Sequence, residues 1–299
     1  MMICEVHSDL APAVHEFLRR RPEFSPSSHW DPLFNYPWKN PEFPYGYALV
    51  DGQRQIQGFL GTIYTRRTIN GKSFLSCNLS CWIVDESYRA SLGKGGKGVG
   101  RRMLDPVLMQ KDVVVTALSA NGLSTKSFLS AGFKSLDSQQ MIIPVIPGFR
   151  GFGATRKVEI SFKTGEIGRR LNEHEREIWN NHRCLPCKHF LMDSPETGEY
   201  CYGIATTARI RRVAMIGEKL FNLCYVSNPE FFARHFWSVA GALWRENHLA
   251  LVRYDKRLIP QTVSALGRPV TSPRWFYASG MEVPEVDLAY TELVLYNIY

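Results

Sequence analysis

Between residues 47 and 84 the apolar positions fall into three runs, at 47–50, 55–65 and 73–84, parted by short polar breaks that carry Asp51-Gly52 and Asn70-Gly71. Such dipeptides suit the positive-φ positions of tight hairpin turns, so the runs predict an antiparallel meander. Ahead of it, Leu10, Val14, Phe17 and Leu18 recur at helical spacing. They predict a helix over residues 11–20, closed by Arg19, Arg20 and Arg21, where cations suit the negative end of the helix dipole. Beyond the meander, DVVVTAL at 112–118 predicts a strand.

The second half repeats this order. Strands are predicted over 200–210, 212–216 and 220–227, with a turn at Gly217-Glu218, and LCYVSNPE ends much as SCWIVDES does. Asn228 is placed to cap, and Pro229 to start, a helix carrying Phe232, Phe236, Val239, Ala240 and Leu243 on one face; a strand over 248–254 follows. Glycine and proline gather at 147–156, the expected linker between domains at 1–147 and 155–299.

Composition narrows the class. At 299 residues, 44% hydrophobic and 12% aromatic, the chain can bury one or two real cores. It has no run of about 18 apolar residues and no charged-then-apolar leader, so a soluble, cytoplasmic protein is expected. Seven cysteines, an odd number widely spread, fit free thiols. The net charge of +8 is dispersed apart from clusters at 19–21 and 209–212, so nucleic acid is not the expected partner.

The stretch 84–104, VDESYRASLGKGGKGVGRRML, joins the end of a strand to a glycine-rich turn and a cationic helix start. Backbone N–H groups at a helix N-terminus lack intrahelical partners, and glycines let an anion approach them closely. Lys94, Lys97, Arg101 and Arg102 add positive charge. A nucleoside-triphosphate loop needs Gly-Lys followed by Ser or Thr, whereas Lys94 and Lys97 are each followed by Gly. Gly93, Gly95 and Gly98 spell a dinucleotide fingerprint, but with no acidic residue ending a following strand at the usual distance.

Val84, Tyr88 and Arg89, followed by Gly-Lys-Gly-Val-Gly at 96–100, resemble the acyl-CoA motif of the GNAT superfamily of N-acetyltransferases. There a strand ends in Val-x-Pro-x-Tyr-Arg and runs into Arg/Gln-x-x-Gly-x-Gly. Strand 112–118, Asn121 and the segment 127–134 resemble its second signature, so the resemblance covers residues 1 to about 147. It implies an α/β (α+β) fold: a mixed, mostly antiparallel sheet with splayed central strands and flanking helices. The second half is then a degenerate copy lacking the glycine-rich turn.

The resemblance also implies a site. Backbone groups of Trp82, Ile83 and Val84 would pair with a pantetheine arm, and Gly95, Gly96, Lys97, Gly98, Val99, Gly100 and Arg101 would surround a pyrophosphate. Asn121 would touch the pantetheine or adenosine side. The implied donor is acetyl-CoA or another acyl-CoA and the acceptor a small-molecule or sugar-linked amine, with no metal.

The chain departs from the pattern in four places. Residues 90–95 are inserted before Gly96, Gly95 stands where Arg or Gln is usual, and Glu86 replaces the Pro. Phe128 replaces the Tyr that protonates the leaving thiolate, so either CoA leaves as thiolate or another group such as Ser127 serves. Asp85 and Glu86 are the candidate bases by position. Acidic residues before a helix also simply favour its N-terminus. Pro106 is expected to kink the helix after the turn.

Two constellations stay open. The aromatic loop at 29–47, with Trp30, Phe34, Tyr36, Trp38, Phe43 and Tyr45, suits either an acceptor pocket or a satellite core. Cys184-Leu-Pro-Cys187 beside His182 and His189 suits zinc, a redox pair or plain packed cysteines. Two function classes follow: an acyl-CoA-dependent N-acyltransferase, or a catalytically inactive CoA-binding module of the same fold.

Overall fold

The computed structural model describes the chain apart from residues 22–29, 70–71, 90–97, 137–138, 147–157, 210–218, 248, 262, 272–273, 279–285 and 298–299. The expected turns at Asn70-Gly71 and Gly217-Glu218, the strand at 212–216, the linker at 147–156 and the expected pyrophosphate contacts of Gly95, Gly96 and Lys97 therefore lie outside the described residues.

In chain order the elements are β1 (Met2–Val6), α1 (Ala11–Arg19), α2 (Asp31–Phe34), β2 (Gly46–Val50), β3 (Ile56–Ile69), β4 (Lys72–Val84), α3 (Glu86–Arg89), α4 (Val99–Leu108), β5 (Val113–Ala117) and α5 (Gly122–Ser130). Next come β6 (Lys134–Ser135), β7 (Gln139–Pro144), β8 (Glu159–Ser161), α6 (Thr164–Arg170), α7 (Glu173–His182), β9 (Lys188–Asp193), β10 (Tyr200–Arg209) and β11 (Lys219–Val226). The chain closes with α8 (Pro229–Arg234), α9 (Phe236–Asn247), β12 (Leu249–Asp255), β13 (Arg268–Thr271), β14 (Trp275–Ala278) and α10 (Glu292–Leu295).

These elements form two compact units. One comprises residues 1–137, 273–286 and 290–296; the other comprises 138–272, 287–289 and 297–299. Each holds a seven-stranded sheet, in the orders β1-β2-β3-β4-β5-β14-β6 and β13-β7-β12-β11-β10-β9-β8. Each sheet has one parallel pair, β4 with β5 and β11 with β12, and is otherwise antiparallel. A parallel pair needs a crossover, which α4 supplies in the first unit and α8 with α9 in the second. This is the mixed, mostly antiparallel architecture expected from the sequence.

The first core lies where α4 covers its sheet. Val99, Met103, Leu104 and Val107 recur at helical spacing, are at most 1% exposed, and pack with Leu49, Leu60, Val113 and Val115. Each such burial contributes about 1.5–3 kcal/mol. Pro106 lies in the third turn of α4, and the helix runs on through it to Leu108. In the second unit Phe236, Val239, Ala240 and Leu243 of α9 play the same part against Phe221, Leu223 and Val252. The Asn228 side chain accepts from the Phe231 N–H (3.0 Å), capping α8 as expected.

Local chemistry fixes the registers. At the β2–β3 turn the Asp51 carboxylate accepts from the N–H groups of Gln53 (2.8 Å) and Gln55 (2.9 Å), and Arg54 takes a φ of 62°. At the other end of β2 a Cβ on Gly46, whose φ is 157°, would stand 2.2 Å from the Leu60 carbonyl oxygen, so only glycine fits.

Candidate functional site

The site begins with an irregularity in β4. Its pairing with β3 jumps between Phe59↔Ile83 and Gly61↔Ser80, and Cys81 in the bulge has a φ of 52°. A left-handed φ on a side chain with a Cβ is costly and persists where neighbouring pairing over-determines it; a bulge of this kind bends its strand. On the other side, β4 pairs with β5 only from Leu75↔Val113 to Asn78↔Thr116. Past that point the two parallel strands part. Among the described residues, 79–84 have no strand partner on that side.

The gap is a cavity of about 240 Å³. Residues 79–83 line one wall and 117–121 the other, with Trp30, Ser124 and Phe128. Ligand clefts run to about 300–1,000 Å³, so this one suits an extended arm rather than a whole nucleotide. Two aromatic rings shape it: Phe128, 3% exposed, packs 5.0 Å from Trp82 and 4.8 Å from Phe133. Trp30 packs edge-on against Tyr296 at 5.8 Å.

At the end of the gap stands the N-terminus of α4. Its cap residue Gly98 has φ −57° and nothing within 4 Å of where a Cβ would be. Neither backbone strain nor packing among the described residues demands glycine there. A Cβ on Gly100 would come to 3.4 Å from the Trp82 ring, so the helix start lies against the cavity wall. The Arg101 guanidinium is engaged by Asp105 at 2.9 Å. The residues present fit a diphosphate at the N-terminus of α4 and an arm lying along β4.

The structure thus gathers Trp82, Ile83 and Asn121 around one cavity, with Val84 just beyond and Gly98, Val99, Gly100 and Arg101 opening α4. Asn121 also caps α5: its Oδ1 accepts from the Ser124 N–H at 2.9 Å. Asp85 is engaged elsewhere. It pairs with Arg21 and accepts from the N–H (3.1 Å) and hydroxyl (2.8 Å) of Ser87 at the start of α3. The Ser87 hydrogen bonds first, then Arg21, hold its carboxyl below the usual range, which makes it a weak proton acceptor at neutral pH. Glu86 is exposed in α3, and neither carboxylate lines the cavity. Ser127, half-buried on α5, is not among its lining residues either; its carbonyl accepts from Ser130.

The sequence reading missed a polar group of residues beside the gap. Glu292 on α10 is 2% exposed; its N–H donates to Asn78 Oδ1 (2.8 Å), and its Oε1 accepts from the Ser119 hydroxyl (2.7 Å). Ser80 donates to the Tyr296 hydroxyl at 3.4 Å, which is 3.7 Å from Cys81 Sγ. Burial pushes the Glu292 carboxyl up to about 7 against the lowering effect of hydrogen bonds from Ser119 and Ser80. The one available signal was an acidic residue inside the apolar run TELVLY.

The second unit carries a corresponding splay with a different outcome. Pairing of β11 with β12 stops at Asn222↔Arg253 while β11 continues to Val226. There the Leu288 N–H donates to the Cys224 carbonyl (2.9 Å), and Leu288 is 2% exposed. The chain itself occupies this position. As for the Cys-x-x-Cys segment, Cys184 is exposed, whereas Cys187 is buried with Sγ 3.5 Å from His189 Nε2. Burial pushes the Cys187 thiol up to about 12 and His189 down to about 4. Among the aromatic-loop residues, Trp30 lines the cavity, while Tyr36, 3% exposed, packs on Trp38.

No protein-family model and no curated protein matches the chain. Solved structures do. A GCN5-related N-acetyltransferase from Anabaena variabilis aligns with a TM-score of 0.57 at 13% identity, over 92% of this chain and 71% of that one. A protein from Enterococcus faecalis described as a probable N-acyltransferase aligns with a TM-score of 0.57 at 11% identity, over 93% and 72%. Eis1 from Mycobacterium abscessus aligns with a TM-score of 0.51 at 11% identity, over 93% and 74%. The chain has the fold of the GCN5-related N-acetyltransferases.

Proposed function

We propose that the first unit is an acyltransferase that moves an acyl group, acetyl in the simplest case, from acyl-CoA to an amine by direct attack within a ternary complex. The observation that carries this reading is the splay of β4 from β5, opening a cavity that leads to the N-terminus of a glycine-started helix. The backbone of Trp82, Ile83 and Val84 takes the pantetheine arm, and the turn from Gly95 to Gly100 with Arg101 takes the pyrophosphate. Asn121 borders the arm. The carbonyl carbon of the thioester then sits in the gap, where a neutral amine attacks it. The second unit binds no donor, because residue 288 occupies its splay.

The acceptor is proposed to be a small-molecule or sugar-linked amine. Trp30 lines the cavity, and aromatic side chains are of the kind on which a sugar ring packs. A second reading, CoA binding without turnover, is favoured by one observation: the ring at 128 has no hydroxyl to protonate a thiolate.

Calorimetric titration with acetyl-CoA and CoA tests the site. Micromolar binding is expected for the native protein, and its loss in Gly98→Glu, which puts a bulky anion into open space at the helix start. No binding by the native protein would sink both readings. Binding without acyl transfer to any of a panel of amino sugars, amino acids, polyamines and peptide N-termini would favour the second.

A further inference from the structure

The transferase reading leaves the acceptor's proton without a destination. Asp85 is ion-paired and Glu86 is exposed outside the cavity. Resting on that reading, we propose that Ser119 and Glu292 form the proton relay of the splay, with Ser119 facing the acceptor and Glu292 receiving the proton through it.

Three observations converge. Ser119 lines the cavity on the β5 side, opposite the β4 edge assigned to the donor arm, and is exposed to it. Its hydroxyl donates to Glu292 Oε1 at 2.7 Å. Glu292 is 2% exposed and held from both ends, its N–H on Asn78 Oδ1 and its carboxylate on Ser119, so its position is fixed by β4 and the β5–α5 turn together. Among the described residues no cation pairs with it, and a buried carboxylate held only by neutral groups is expensive to keep for packing alone. Its raised pKa near 7 lets it accept a proton and release it again at neutral pH.

The step balances. The amine lone pair forms the C–N bond while the C–S bond breaks with its electrons going to the CoA sulfur. The amine proton passes to Ser119 Oγ as the Ser119 proton passes to Glu292 Oε1; Glu292 then returns its proton to solvent by the same path, and CoA leaves as thiolate. No acid is needed at position 128. Among the described residues the titratable groups coupled to Glu292 are Cys81, from β4, and Tyr296, at the end of its own helix. Burial pushes both well above their ordinary ranges, so both stay neutral across the pH range in question. Glu292 acts through Ser119 and is a positioning residue in this sense, so its test needs a signature that a packing role would not give.

The experiment pairs acetyl-CoA calorimetry with CoA release from acetyl-CoA between pH 5 and 9, using water, glucosamine, spermidine and glycinamide as nucleophiles. Native protein, Glu292→Gln, Glu292→Asp, Ser119→Ala and Ser119→Thr are compared, with melting curves for each. The expected result is a kcat that rises with pH through about 7 in the native protein. In Glu292→Gln and Ser119→Ala, kcat should fall about 100-fold and lose that limb, in line with the usual size of a general-base effect. Their Kd for acetyl-CoA should stay within about twofold of native, and Ser119→Thr, which keeps the hydroxyl, should recover most of the rate. Glu292→Gln or Ser119→Ala turning over with the native pH profile would overturn the relay. So would acetyl-CoA binding with no CoA release to any nucleophile, which leaves the donor site standing. Failure of the native protein to bind acetyl-CoA would instead overturn the transferase reading on which the relay rests.

Discussion

A single buried carboxylate sets the electrostatics of the first unit's site. Glu292 binds its proton more tightly in the folded protein, with its pKa raised from 4.5 to about 7 by burial. The stabilising contribution of the protonated form is thus fully present below pH 4.5 and is lost as pH rises through 7. At about 1.4 kcal/mol per pKa unit the whole effect is on the order of 3 kcal/mol. Glu292→Gln, which cannot ionise, should therefore melt above the native protein at pH 8 and lose the slope in melting temperature between pH 5 and 8. Melting curves across that range decide it, and parallel curves would show that Glu292 does not titrate there. Gly98 is the counterpart in sequence: the glycine-rich pattern singles it out, and among the described residues nothing lies within 4 Å of where its Cβ would be.

At the scale of elements, α4 shows how a local rule is overridden. A proline in the third turn lacks the N–H that would reach the Arg102 carbonyl and crowds that oxygen, yet α4 continues to Leu108 because four of its side chains are buried against the sheet. Burial of that stripe outweighs an interior proline's cost of about 3 kcal/mol. Pro106→Ala should stabilise the first unit by about 1 kcal/mol or more, raising its melting temperature by about 2–4 °C per kcal/mol. An unchanged or lower melting temperature would mean that the kink itself is needed for packing. The meander was readable for the opposite reason. The turn at Asp51 satisfies its own N–H groups locally, so the pattern and the structure agree without help from distant residues.

Over the whole molecule, the chain returns to the first unit after building the second. β7 follows the first unit in sequence and pairs with β12 and β13, while β14 pairs with β5 and β6. Residues 1–147 by themselves would leave the Val113–Ala117 edge of β5 open and Asn78 without Glu292. Exposed apolar edges of this kind template aggregation. A fragment of residues 1–147 is expected to be aggregation-prone, and co-expression with residues 268–299 to rescue its solubility; a soluble fragment with a cooperative melt would show that β14 is dispensable.

The sequence by itself determined what depends on near neighbours: the meander with its turn at Asp51, the apolar residues of the second crossover, the cap at Asn228, and the glycine-rich helix start that carries the family resemblance. Each rests on turn chemistry or on periodicity within about a dozen residues, which a linear pattern records. The tertiary structure decided the rest. The four-residue strand β14 and the four-residue helix α10 are too short to show a period. What places them is an unpaired strand edge and a splayed gap more than 150 residues away in the chain, as in the Ser119–Glu292 contact, with a sequence separation of 173. Burial gives Glu292 its chemistry, and burial is a property of the assembled core rather than of the residues beside it in the chain.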